Sequence, residues 1–229
     1  LYCAKTMLAC FFGDSAQARA HAAGARRSLH AGIGTHAETL FHFYESLALL
    51  AEARGKDYHG RLQALQAVAG NQKKLQLWAR HAPMNHRHHW CLVEAERLRV
   101  IDQADGAMRR YEEAIDLARE NGFVHEEALA WELAARFHLQ QRRERLAAHY
   151  LRQATQLYER WGATAKVAQL SARYPMQLLT VAQSAQQRVT RTRGGFVSSS
   201  LGDETFDLDA ISQASQAISS EIVIDNLVK

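Results

Sequence analysis

"GAMRRYEEAIDLARENG" (Gly106–Gly122) and "LAAHYLRQATQLYERWG" (Leu146–Gly162) carry one pattern twice, 40 residues apart. Ala107 matches Ala147, Ala114 matches Ala154, Leu117 matches Leu157 and Gly122 matches Gly162. Upstream, Ala95 and Ala135 keep the same offset. Self-similarity at a period of about 20–50 residues marks a solenoid, whose stacked units bury a shared core. Alanine at these positions lets two helices approach closely. Gly122 and Gly162 stand where the second helix of each unit must stop, because glycine takes the left-handed conformation that closes a helix end. The expected fold class is all-α, built of antiparallel helical hairpins stacked in chain order.

Working outward, the clearest pair covers Arg87–Ile101 and Ala104–Asn121. It repeats over Val124–Gln141 and Glu144–Trp161, and a short helix over Thr164–Arg173 closes the array before Pro175. Towards the N-terminus, a first helix runs to Phe12 and Gly13-Asp14 breaks it. Asp14 then caps a second, alanine-rich helix with Gln17 three residues on. Gly32-Ile33-Gly34 reads as a turn, and Thr35 with Glu38 forms a capping box that opens a third helix. A fourth helix over His59–His81 has Leu62, Leu65, Val68 and Ala69 as its expected inner stripe, with Pro83 as its stop. Trp78, Trp90, Trp131 and Trp161 read as core anchors between stacked helices.

The chain thus divides into a helical-repeat domain over 1–174, a flexible linker over 175–206 and an amphipathic helix over 207–229. The linker holds Arg191, Arg193, Gly194, Gly195 and Ser198–Ser200, a basic Gly/Ser composition. In the last helix Leu208, Ile211, Ile218 and Ile222 form a narrow stripe suited to pairing with another helix. That stripe is the expected relay element, and a homodimer could form through it.

Of 229 residues 47% are hydrophobic, which allows a sizeable core, and only 2 are proline, which suits long helices. Basic residues number 28 against 24 acidic, a net +4 with pI near 9.1. Such a mixed surface excludes a nucleic-acid-grade patch. Three cysteines without CxxC spacing argue against disulfides and structural zinc, and fit a reducing, cytoplasmic compartment. No stretch has the roughly 18 apolar residues of a membrane helix. The chain opens and closes inside helical patterns, so it reads as a piece of a longer protein.

Within each unit the order is Cys91, Ala95, Leu98, Ala107, Tyr111, Ala114, and then Trp131, Ala135, His138, Ala147, Leu151, Ala154. This large-small-large spacing resembles the tetratricopeptide (TPR) pattern, in a unit longer than the usual 34 or so residues. More specifically, His89–Glu96, Tyr111–Phe137, Tyr150–Pro175 and Leu208–Lys229 resemble one bacterial family. Its members are large signalling proteins that join a Ser/Thr-kinase-like domain, a P-loop ATPase, a TPR-like helical region, a GAF domain and a sensor histidine kinase. The resemblance covers Thr35 to Lys229 and implies a TPR-like solenoid whose last helix leads towards the GAF domain. It implies a non-catalytic regulatory segment that senses or binds a partner and relays to flanking kinase modules. The alternative is a constitutive protein-binding scaffold. ATP and Mg are implied for the parent, and no cofactor for this segment.

The residues agree with a non-catalytic role. There is no GxxxxGK followed by Ser or Thr, no HRD loop and no DFG. His81, His86, His88 and His89 are the one concentrated set of ligand-type side chains. They flank Pro83, and the spacing reads as a solvated inter-repeat loop rather than the convergent donors zinc needs. Glu112/Glu113 and Glu126/Glu127 are helix neighbours and do not face each other. Arg188, Arg191 and Arg193 have no interleaved aromatics for base stacking. By the TPR resemblance, a protein or peptide partner would lie in a concave groove lined by the first helix of each unit. That face carries His89, Leu92, Glu96, Arg99, Leu129, Glu132, Arg136 and Gln140.

Overall fold

The computed structural model describes residues 1–27 and 36–178. Among them there is no strand, and the helices are α1 (Tyr2–Phe12), α2 (Ser15–Arg27), α3 (His36–Ala53), α4 (Tyr58–His81), α5 (Pro83–Val100), α6 (Ala104–Glu120), α7 (Val124–Gln140), α8 (Glu144–Trp161) and α9 (Thr164–Arg173), with residues 175–178 helical again. Each helix packs on its sequence neighbours, as a helical-repeat solenoid requires. Three further contacts tie distant parts together: α1 with α3, α3 with α5, and α1 with α9. The relay stripe Leu208, Ile211, Ile218 and Ile222 and the linker arginines lie outside the described residues.

The repeated alanines sit at the crossings they were read for. Ala95, Ala107, Ala135 and Ala147 are fully buried, as are Tyr111 and Leu151. Gly122 and Gly162 are left-handed (φ 77° and 83°) and close α6 and α8. Gly13, at φ 74°, does the same for α1. The Asp14 carboxylate then accepts the Gln17 N–H at 2.9 Å, which caps the start of α2.

Two elements depart from the sequence reading. The inner face of α4 carries Ala64, Val68, Asn71, Gln72 and Leu75, while Leu62 and Ala69 are exposed. The face is turned because Asn71 and Gln72 are held by partners. Asn71 donates to Glu45 (3.0 Å) and Ser46 (3.1 Å), and Gln72 donates to the Trp90 carbonyl (3.2 Å). Pro83 does not end a helix before a loop. It occupies the first turn of α5, where its missing N–H costs nothing. The segment read as a solvated loop is therefore helix, and His88 and His89 are buried within it. Trp78, Trp90 and Trp131 pack on the core, whereas Trp161 is half exposed and stacks on His125 with ring centroids 5.1 Å apart.

α3 is covered on nearly every side, from Phe41 to Leu50. A helix enclosed this way is expected to be apolar all round, yet it includes His42, Glu45 and Ser46. Those polar groups are satisfied. His42 Nδ1 lies 2.9 Å from Asn71 Oδ1, and Arg26 donates to Glu45 from Nη2 to both oxygens (2.6 and 2.7 Å) and from Nε to one of them (3.1 Å).

Candidate functional site

The odd-numbered helices α3, α5, α7 and α9 run in the same sense, so their C-terminal ends gather along one edge. There Arg54 follows α3, Arg99 and Val100 end α5, Arg136 and Gln140 lie near the end of α7, and Arg173 ends α9. With Arg61 from the first turn of α4, they line an open cleft of about 480 Å³ that also includes Asp102 and Tyr174. Helix C-termini carry partial negative charge, which favours cations there and offsets some of the repulsion among the arginines.

Two carboxylates buttress the cleft from below. Tyr111 donates to Glu96, Arg99 Nη1 donates to it at 3.2 Å, and Arg54 Nη1 stands 3.7 Å from it. Burial works against ionisation of Glu96, but the Arg99 and Arg54 guanidinium groups outweigh it and hold the carboxyl below its usual range. Glu132, wholly buried, receives Arg136, Tyr158 (2.8 Å) and Lys166 (2.9 Å). It too is held below the carboxylate range against its burial, by Arg136 and Lys166. Arg99 is further fixed by donating to Gln140 at 2.9 Å and to the Arg136 carbonyl at 3.1 Å.

Of the eight groove residues expected from the sequence, Arg99, Arg136 and Gln140 line this cleft. His89, Leu92, Glu96, Leu129 and Glu132 are buried. Sequence reasoning missed Arg54, Arg61 and Arg173, because none falls at a repeated position. The signal was there in another form, as basic residues at the ends of alternate helices.

The histidines make a second, closed constellation. His88 Nε2–H donates to Glu126 Oε2 at 2.5 Å and His89 Nε2–H to Glu126 Oε1 at 2.8 Å, all three buried. Their ligand atoms lie within 4.8 Å of one another, so these are the residues that could hold a metal ion. His81, the last residue of α4, is not among them. Burial pushes the His89 imidazole down to about 4, while its two imidazole donors keep Glu126 ionised in spite of burial. Each oxygen of Glu126 accepts one imidazole bond, so the cluster joins α5 to α7, while the buried Nδ1 atoms of His88 and His89 have no hydrogen-bond partner. Glu127 turns elsewhere, to Arg119 at 3.0 Å.

No protein-family model, curated protein or solved structure matches the chain. Among the described residues no helix is long and apolar enough to cross a membrane.

Proposed function

We propose that this chain is a non-catalytic regulatory segment of a bacterial signalling protein, which receives a partner in the arginine-lined cleft and relays that event to flanking kinase modules. The family resemblance supplies the signalling context. The single observation that supports a receiving role is the cleft itself, with five guanidinium groups, from four helices and the turn after α3, around one open space. Rim charges of this kind steer partners of opposite sign and select among them.

The test is a pull-down with the chain as bait, beside an Arg61→Glu/Arg173→Glu double variant. Captured proteins are identified, purified and bound again to both forms. A partner held by the wild type and lost on charge reversal supports the reading. Partners indifferent to the reversal would remove the cleft as the receiving site. Salt dependence separates nucleic acid from protein, because phosphate-backbone contacts make affinity fall steeply with salt.

A further inference from the structure

The arginines of the cleft are not all spent on internal partners. Arg61 Nε and Arg136 Nε have no hydrogen-bond partner, and Arg54 Nη1 has only its long contact to Glu96. Among the described residues Arg61 and Arg173 make no ion pair. Asp102 lines the cleft, and Glu96 and Glu132 stand behind Arg99 and Arg136, with Lys166 also on Glu132, so six cations face three anions. The surplus is three positive charges, with the unpartnered Nε groups of Arg61 and Arg136 beside it. A phosphate monoester carries about −1.5 to −2 at neutral pH and three strong acceptor oxygens. A carboxylate carries half that charge.

The cleft also has a floor of another character. A second chamber of about 150 Å³ lies between α1–α2 and the repeats and shares Arg54, Arg136 and Arg173 with it. One wall is apolar, with Ala18, Leu47, Ala51, Leu129 and Leu133, and the rest holds Ser15, the Glu96 carboxylate and the shared arginines. It is more enclosed and has room for a short alkyl group. A charged mouth and an inner chamber with one apolar wall together define one kind of ligand. Building on the receiving role proposed above, we infer that the cleft binds a phosphate monoester whose carrier bears a short apolar group beside the phosphate. The phosphoryl oxygens accept from Arg54, Arg61 and Arg136, with Arg173 closing over them, and the apolar group enters the chamber.

The experiment is isothermal titration of the full chain at low salt with four probes. These are inorganic phosphate, n-butyl phosphate, n-butyrate, and a peptide with phosphoserine followed by leucine, run beside its unphosphorylated twin. Each buried methylene contributes about fourfold to affinity, so butyl phosphate is expected to bind at least roughly tenfold tighter than inorganic phosphate. Butyrate is expected to be weaker than butyl phosphate. Arg61→Glu/Arg173→Glu should abolish binding, and neither change breaks an internal ion pair. Ala51→Leu, which fills the chamber from its wall, should erase the advantage of butyl over inorganic phosphate and leave phosphate binding intact. Thermal melts confirm that each variant is folded. Binding of the phosphopeptide as well places the ester on a protein. Binding of butyl phosphate alone places it on a small molecule, and both results support the inference. Absence of saturable binding by either phosphoester, binding untouched by the arginine reversal, or butyl phosphate no tighter than inorganic phosphate would each overturn it. A protein partner that is lost on arginine reversal while no phosphoester binds would defeat this inference and leave the receiving role standing.

Discussion

Asp102 and Arg142 are the two non-glycine residues with positive φ among the described residues, at 58° and 56°. They stand 40 residues apart, so the repeat extends to a turn that no glycine announces. Each is followed by the same closing bond, Gln103 N–H to the Leu98 carbonyl and Arg143 N–H to the His138 carbonyl, both 2.9 Å. A left-handed conformation costs an L-residue about 1–2 kcal/mol. Arg142→Gly should therefore raise stability by about 1 kcal/mol, seen as a higher melting temperature. Gly122→Ala should lower it by a similar amount. A methyl at Gly122 would meet nothing within 4 Å, so only backbone strain acts there. His89 gives a pH dependence of definite sign. Its pKa falls from an ordinary 6.5 to about 4 on folding, through burial. Below pH 6.5 the unfolded chain binds a proton that the folded one refuses. Stability thus declines as pH drops from 6.5 towards 4, by up to about 3 kcal/mol for this group. His42, His86 and His138 are lowered too, also chiefly by burial, and add slope of the same sign. Glu126 is depressed in the other sense, so its contribution holds above its ordinary range and fades only under stronger acid. Urea midpoints at pH 7, 5.5 and 4.5 should fall in that order, and less steeply for His89→Gln. Equal midpoints would contradict the burial account.

At the scale of helices, the α5–α6 and α7–α8 hairpins are held by small residues at their crossings. Ala107 and Ala147 have no exposed surface, so a leucine there must displace its neighbours. Ala107→Leu and Ala147→Leu are each expected to cost about 1–3 kcal/mol by overpacking. A thermally silent Ala147→Leu variant would count against close packing at that seam. These crossings were legible in the sequence because small residues recur there at a fixed interval. The face of α4 was not, since Asn71 and Gln72 point inward and only their partners on α3 and α5 make that tolerable. The proline at the head of α5 was misread because proline both stops a helix and starts one, and local sequence does not distinguish the two. The burial of Glu126 and Glu132 was not legible for a related reason. Arg136 alone stands at a helical spacing from Glu132; His88, His89, Tyr158 and Lys166 lie on other helices, where no spacing rule within one helix reaches.

A linear solenoid has contacts only between neighbours, and its ends can unfold apart from its middle. This molecule breaks that rule through α1. Phe11 is almost wholly buried and touches rings from three other helices: Tyr44 at 6.2 Å, His125 at 6.4 Å, and Tyr158 and Trp161 at 6.0 and 5.6 Å. Lys166 on α9 donates to the Phe11 carbonyl and to Glu132, and Gln169 donates to the Phe12 carbonyl at 2.7 Å. α1 is thus pinned to α9 and to the repeat core, which also explains why groove positions expected to be open are buried. That closure couples the N-terminal hairpin to the repeats, so wild-type protein should unfold in one transition. Phe11→Ala removes the hub, with an expected loss of about 3–5 kcal/mol at that contact. Because α5–α8 keep their own crossings, the loss should fall unevenly. Amides of α1 and α2 should exchange much faster while those of α6 and α8 keep most of their protection. Hydrogen exchange read by mass spectrometry resolves the two regions directly. Uniform loss of protection along the whole chain would show a single inseparable core. Unchanged exchange in α1 and α2 would show that Phe11 does not pin them.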